Sequence, residues 1–437
     1  MMTDFTSHSF DSRLLDESYT KYTHKSGLDI YIFPKSMSTK YALFGTKYGS
    51  IHNSFTVGNG KEVITVPDGI AHFLEHKLFF NEDGTDSFER FSEFGADANA
   101  YTSFNKTAYL FSCTDCFEEA LCELIDFVTH PYFTPESVAS EIGIISEEIK
   151  MYDDSPGDRC FYGMLEGMYR SHSIRRNICG TERSIARITA DTLYECHKAF
   201  YRLDNMVLIL CGDICAETAL RIVDERLAGV STPIEHPQMV NENALEAPVA
   251  NTPYLEQRMQ VSKPIFSIGF KDTDISPIPY DRQRKDAVMS ILDEMLFSRA
   301  GELYNSLFDK KLISPAMSYG YTISESFAYH SIAGESDDPR AVLSLITEHI
   351  DRVRREGLDR EDFERAKRVM YAESVRCFDS VENIANNLFT FVCEGAEILE
   401  YTDILGGVTF EDVCNAFACT FDPATVTLSV VAPINND

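Results

Sequence analysis

Runs of alternating and helically spaced apolar positions recur along the whole chain, so strands and helices are expected to be interspersed rather than segregated. Residues up to about Asp16 show no clear period and read as a loose arm. Tyr22–His24 and Leu28–Phe33 bracket Lys25-Ser26-Gly27, which predicts a tight hairpin. Lys40–Gly49 reads as a strand, Gly58-Asn59-Gly60 as a loop and Ser87–Phe94 as a helix stopped by Gly95. Ala98–Phe104 and Thr107–Ser112 pair across Asn105-Lys106 as a second hairpin. Helices follow over Phe117–Val128 and Glu136–Tyr152, the latter with Thr134 at its cap and Pro135 in its first turn. Pro156 and Gly157 break it within Asp153–Asp158. Arg159–Tyr169 and Thr189–Phe200 are then helical, and Met206–Cys211 is a strand.

The pattern repeats once. Shifted by 220 positions, Ile188–Asp213 lies on Val408–Pro433, with Leu193 on Val413, Tyr201 on Phe421, Met206 on Val426 and Leu208 on Leu428. A period this long implies a duplicated domain rather than a solenoid. The expected division is residues 1–230, a polar Pro-containing linker over 231–254, and residues 255–437, whose sheet begins with Gln260–Phe270. Each half is expected to be an α+β sandwich of sheet and helices.

One stretch carries chemistry. Ile70–Phe79 reads Ile-Ala-His-Phe-Leu-Glu-His-Lys-Leu-Phe, with Asp68 placed to cap the helix it predicts. His72 and His76 are four apart, on one helical face, where two imidazoles can grip one metal ion. Glu75 stands on the same side, where a carboxylate can take a proton from water activated by that metal. H-x-x-E-H is a zinc-peptidase signature, although an amphipathic helix with ordinary hydrogen bonds would use the same letters. A catalytic zinc site needs a third protein ligand. In the Glu136–Tyr152 helix, Ile142, Ile145, Ile149 and Tyr152 form an apolar stripe, and Glu141 and Glu148 sit two turns apart beside it. Carboxylates so close to a buried stripe call for a partner unless both are solvated, as Glu147 is expected to be. The shift of 220 puts Leu292 and Leu296 where His72 and His76 stand, inside the apolar run Ala287–Phe297, so the second half keeps the helix without the ligands.

H-x-x-E-H followed downstream by Glu-x6-Glu resembles the M16 (pitrilysin/insulinase) family of zinc metallopeptidases. Asn99-Ala100-Tyr101-Thr102-Ser103 with Thr107-Ala108-Tyr109 is similar to that family's substrate-side hairpin. Glu148–Asp154 with Pro156, and Asn205–Asp213, are similar to its ligand helix and the closing strand of its first domain. The resemblance implies two M16-type (LuxS/MPP-like) α/β sandwich domains forming half of a clamshell, and one Zn2+ per chain bound by His72, His76 and Glu148. It further implies Glu75 as general base, Glu141 as a supporting carboxylate, and Asn99, Ala100, Tyr101 and Thr102 as an edge that takes an extended peptide by backbone hydrogen bonds, with the Asn99 side chain free for substrate or the metal surroundings.

In this family an Arg and a Tyr seven residues later assist at the reacting carbonyl. Over Leu303–Leu312 and beyond, Phe308 stands at the Arg position and Pro315 at the Tyr position, with Tyr319 and Tyr321 nearby. That departure resembles the two-subunit branch, in which a related chain supplies the pair, and implies a heterodimer or a homodimer. Two other readings stay open: a non-catalytic M16-like scaffold or peptide-binding subunit, and a maturation peptidase dedicated to one small encoded peptide.

Composition narrows the partners. Lys and Arg number 39 against 69 Asp and Glu, a net charge of −30, which disfavours nucleic acid and anionic membranes and suits basic peptides. No apolar run approaches a membrane span, and the first residues lack the pattern of an export signal. Twelve cysteines without framework spacing read as reduced thiols, and Cys113-Thr114-Asp115-Cys116 lacks a second pair. The expectation is a cytoplasmic protein.

Overall fold

The structure is a computed structural model, which describes residues 4–57, 63–230, 236–240 and 246–434. The expected loop at Gly58-Asn59-Gly60 lies outside the described residues, as do 231–235 and 241–245 of the expected linker. The architecture is α+β, with two main sheets each sandwiched between helices.

The first sheet has seven strands: β1 (Phe5–Ser12), β2 (Glu17–His24), β3 (Asp29–Pro34), β4 (Lys40–Thr46), β7 (Asp97–Thr102), β8 (Thr107–Cys113) and β9 (Met206–Gly212). Their order is β1-β2-β3-β9-β4-β8-β7, and only β3 and β9 run parallel. Every residue of β9 is buried, because helices cover both faces at the centre of the sheet. The loose arm expected before Asp16 is instead β1, paired along its length with β2 from Phe5↔His24 to Ser12↔Glu17. Its mostly polar, exposed residues are typical of an edge strand and hide its period, while Phe10 stacks on Tyr19 at 4.8 Å. A small sheet holds β5 (Ser54–Thr56), β6 (Val63–Thr65) and β10 (Gln238–Met239) in the order β10-β5-β6.

The second main sheet has five strands: β11 (Tyr254–Met259), β12 (Ile265–Asp272), β13 (Ser318–Ile323), β14 (Ala328–Glu335) and β15 (Val426–Pro433), ordered β11-β15-β12-β14-β13. It therefore begins at Tyr254 rather than Gln260. The stretch expected to be linker contributes both β10 and the first residue of β11. Glu246 in that stretch is also pinned: its carboxylate accepts from the backbone N–H groups of Arg170, Ser171 and His172, and from Lys271 Nζ at 2.9 Å. Burial opposes ionisation there, yet the Lys271 bond and the three amides bring the carboxyl down to about 2.

The repeat is visible in the elements. The helix Ala190–Phe200 and β9 are matched by the helix Phe410–Cys419 and β15, and Thr189 and Thr409 both open their helices with capping boxes. Leu292 and Leu296 are buried in the helix Pro279–Phe297. The halves also trade helices. Pro156–Met168, from the first half, packs on the outer face of the second sheet, where Cys160 Sγ contacts the Ser429 carbonyl at 3.3 Å and a Cβ at Gly163 or Gly167 would overlap Ser429 or Thr427. Val381–Cys393, from the second half, covers the outer face of the first sheet with Val381, Ile384, Leu388 and Phe389.

Gly45 on β4 exists for that contact: any Cβ would fall inside the Phe389 ring. Gly45→Ala is expected to lower the melting temperature by overpacking, a cost of about 1–3 kcal/mol. In a Phe389→Ala background, itself destabilised by about 3–5 kcal/mol, the same change should cost far less. Thermal unfolding of the wild type, both single variants and the double variant checks the coupling.

Candidate metal centre

Two helices of the first half build the site. The helix Ile70–Leu78 begins where Pro67-Asp68-Gly69 turns, and Gly69 is its N-cap with φ +90°, a conformation in which a side chain would be strained. Asp68 does not cap it as expected. It stands one residue too early, and its carboxylate accepts from Asn53 Nδ2 at 2.8 Å and Arg176 Nη1 at 2.7 Å. Ile70, Phe73, Leu74 and Leu78 enter the core, which turns His72, Glu75 and His76 toward the opposite side.

The second helix, Pro135–Asp153, opens with a capping box in which Thr134 and Ser137 satisfy each other's backbone N–H groups. Ile145 and Ile149 anchor it to the core, with Ile142 and Tyr152 packed alongside. Glu141 and Glu148 then face the first helix, while the Glu147 side chain is 76% exposed and pairs with Lys150.

The two oxygens of Glu148 are shared between the histidines: Oε1 lies 3.5 Å from His72 Nε2 and Oε2 lies 3.4 Å from His76 Nε2. His76 Nδ1 contacts Glu141 Oε1 at 3.2 Å, and Lys77 Nζ reaches Glu141 Oε2 at 3.4 Å. Glu75 accepts a hydrogen bond from Thr102 Oγ1 at 2.7 Å. Burial lowers the tendency of His76 to take a proton, but the Glu141 bond and the charges of Glu75, Glu148 and Glu141 outweigh it, so its pKa is raised. The His72 contact holds Glu148 below the usual carboxylate range against burial. Burial of Glu141 is likewise overcome by His76 and Lys77, and its carboxyl is lowered.

Two of the three donor pairs have the spacing of a zinc ion. Donors about 2.0–2.1 Å from a tetrahedral zinc lie about 3.4 Å from one another, close to both Glu148–histidine separations. His72 Nδ1 is buried without a hydrogen-bond partner among the described residues, so the ring's one polar contact zone is the Nε2 side that faces Glu148. Glu141 on His76 Nδ1 is the carboxylate–histidine pairing that orients a metal-ligating ring. Three carboxylates meeting one lysine and two imidazoles leave an excess of negative charge suited to a divalent cation.

A cavity of about 710 Å3 opens over this cluster, and His72, Glu75, His76, Glu141, Glu148, Asn99, Ala100, Tyr101 and Thr102 all line it. The last four belong to β7, the edge strand of the first sheet. The Asn99 side chain is exposed, with its Oδ1 accepting the backbone N–H of Ala100 at 2.8 Å. Two participants, Lys77 and Cys179, escape the sequence reading, and a third, Thr102, is expected there only as part of the substrate edge. Lys77 and Thr102 show no motif that assigns them to Glu141 and Glu75. Cys179 is more than a hundred residues from His72, yet its Sγ lies 3.8 Å from His72 Nε2. Burial first, and then the Glu148 and Glu75 charges, push the Cys179 thiol pKa well up. From the second half, Tyr319 and Tyr321 donate within their own lobe, to Glu294 at 2.6 Å and Asp272 at 2.8 Å.

Comparison with known proteins identifies the family. Residues 65–182 match the family profile described as Insulinase (Peptidase family M16), and residues 187–370 match Peptidase M16 inactive domain. The chain is 36% identical over 420 residues, 96% of its length and 97% of the relative's, to a Bacillus subtilis (strain 168) protein described as an uncharacterized zinc protease, YmfH. It superposes on a putative M16-like peptidase from Alicyclobacillus acidocaldarius with a TM-score of 0.89 at 29% identity, covering 99% of this chain and 100% of that one. A Helicobacter pylori protease shares the fold, with a TM-score of 0.80 at 16% identity over 95% of this chain and all of the other. The match to the insulinase profile and the 36% identity to a zinc protease along nearly the whole of both chains place this chain in the M16 (insulinase) family of metallopeptidases.

Proposed function

We propose that the chain is a zinc-dependent endopeptidase for extended peptides, with the metal held by His72, His76 and Glu148 and with Glu75 as general base. One observation carries this reading: a carboxylate from a separate helix divides its oxygens between the Nε2 atoms of His72 and His76 at 3.5 and 3.4 Å. Zinc bound there supplies Lewis acidity toward water and the scissile carbonyl. Glu75 takes the proton of the attacking water and returns it to the leaving amide nitrogen. Thr102 orients Glu75 through its 2.7 Å hydrogen bond, and Glu141 holds the proton on His76 Nδ1 so that Nε2 keeps its lone pair. The edge of β7 binds the peptide backbone as an added strand, and the substrate displaces the Asn99–Ala100 bond as it docks. Residues 1–230 form the catalytic unit and 255–437 the unit without ligands.

Full activity requires a partner, either a related M16-like chain bearing the Arg/Tyr pair or a second copy. Phe308, at the Arg position, is 46% exposed, and the cavity lining among the described residues comes from the first half alone. The net charge of −30 favours basic peptides. Among the described residues no helix is long and apolar enough to cross a membrane. The twelve cysteines are free thiols, which supports a cytoplasmic setting.

Glu75→Gln is expected to keep its zinc while peptide hydrolysis falls by about 10²–10⁴-fold. His72→Ala and Glu148→Ala should lose the metal itself. Zinc analysis beside a quenched-peptide digest decides, and undiminished turnover in Glu75→Gln would remove the general base and leave a scaffold. Glu141→Gln should weaken zinc affinity by about 10–100-fold, read by competition with a chelator. The isolated wild-type chain should cleave the same peptides slowly, with a rise on addition of a related chain that carries the Arg/Tyr pair; full activity alone would contradict the need for a partner.

A further inference from the structure

Beside the proposed ligands lies a fourth donor that the H-x-x-E-H pattern does not assign. Cys179 is 4% exposed, in the turn Asn177-Ile178-Cys179-Gly180 that leads to the helix Glu182–Ile185. Its Sγ, one nitrogen of His72 and one carboxylate oxygen of Glu148 all lie within 4.8 Å of one another; His76 stands outside that group and meets the other oxygen of Glu148. These three donors come from three separate segments of the chain.

The turn is held against the start of the two-histidine helix. Asn177 Oδ1 accepts the Cys179 backbone N–H at 2.9 Å, and Asn177 O accepts that of Gly180 at 2.9 Å. The Cys179 carbonyl packs on Gly69, and Gly180, with φ +73°, packs on the Asp68 carbonyl, both closely enough to exclude a Cβ. The backbone of the turn is thus fixed relative to the two-histidine helix, and the sulfur can approach or leave His72 only by rotation about the Cys179 Cα–Cβ bond.

For bonds of about 2.3 Å to sulfur and 2.0–2.1 Å to nitrogen, a tetrahedral zinc sets the two donors about 3.6 Å apart. The Sγ–Nε2 separation is 3.8 Å. An S–H···N hydrogen bond would be weak at this distance, and it would use the same Nε2 lone pair that a metal needs. Cys179 also lines the cavity in which Glu75 and Thr102 stand.

We propose that Cys179 is a fourth protein ligand of the metal bound by His72, His76 and Glu148, so that the resting protein holds a closed site with one sulfur donor. The inference rests on the proposed metal site. Coordination releases the thiol proton to solvent and forms a metal–sulfur bond without any change of oxidation state. A site closed by protein donors has no position for water or substrate, so the thiol acts as a brake that must withdraw before peptide hydrolysis.

The test uses the full chain loaded with cobalt(II) in place of zinc. Wild type is expected to bind one cobalt and to show a near-ultraviolet thiolate-to-cobalt charge-transfer band. Cys179→Ser should bind cobalt and lose the band, while Cys160→Ser, a buried cysteine remote from the cluster, should keep it. X-ray absorption at the zinc edge of the wild type should show one sulfur scatterer at about 2.3 Å, which decides the matter even if the variant does not fold. At equal zinc content, Cys179→Ala should raise peptide turnover several-fold. One bound cobalt with no charge-transfer band, or a zinc edge with only nitrogen and oxygen neighbours, overturns the fourth ligand and leaves the metal site standing. A chain that binds neither metal, or binds it equally after His72→Ala, overturns the metal site and this inference together.

Discussion

The Glu148 carboxylate, shared between two imidazoles, is the constraint on which the first half depends. Its oxygens meet His72 and His76 at 3.5 and 3.4 Å, so the two helices must keep both a fixed separation and a fixed rotation. A one-residue slip of the second helix would swing Glu148 away by about 100°. Thr134 and Ser137 fix where that helix begins, and Ile145 and Ile149 fix which side faces the core. Capping and packing together set the register of the donor.

Electrostatics extends the arrangement beyond the three donors. Lys77, Glu141, His76, Glu148 and His72 form an unbroken run of charge-assisted contacts from the core-facing side of the helix into the cavity. Lys77 is 4% exposed and lies over the Phe80 ring at 4.8 Å, so Glu141 is its main charge partner. Burial raises the cost of every charge in this run, and each member offsets that cost for the next.

The second half supports the first by shape. Its helix Pro279–Phe297 carries Leu292 and Leu296 where the 220-residue shift places the two histidines, and nearby polar groups pair within this half: His330 Nδ1 with Asp293 at 2.8 Å, Tyr319 with Glu294 and Tyr321 with Asp272, while His330 Nε2 and Asp293 Oδ2 are buried without a hydrogen-bond partner among the described residues. The exchanged helices Pro156–Met168 and Val381–Cys393 each complete the sandwich of the opposite sheet. The first helix follows the Glu148 helix with only a short break at Asp154 and Ser155.

Much of this was legible in the sequence, because it is local. Helical spacing put His72, Glu75 and His76 on one face, Thr134-Pro135 announced the second helix, and the shift of 220 exposed the duplication before any sheet was known. Edge strand β1 leaves no mark in the pattern because its exposed residues carry no apolar alternation, and the place of Asp68 is hidden because capping depends on the φ angle of Gly69. Only the tertiary structure decided that Lys77 holds Glu141, that Asn99 turns to the amide of Ala100, that each half lends a helix to the other, and that Cys179 stands 3.8 Å from His72. Periodicity records which face of an element is buried; it holds nothing about which distant segment arrives there, since that is settled by packing among residues tens to hundreds of positions apart.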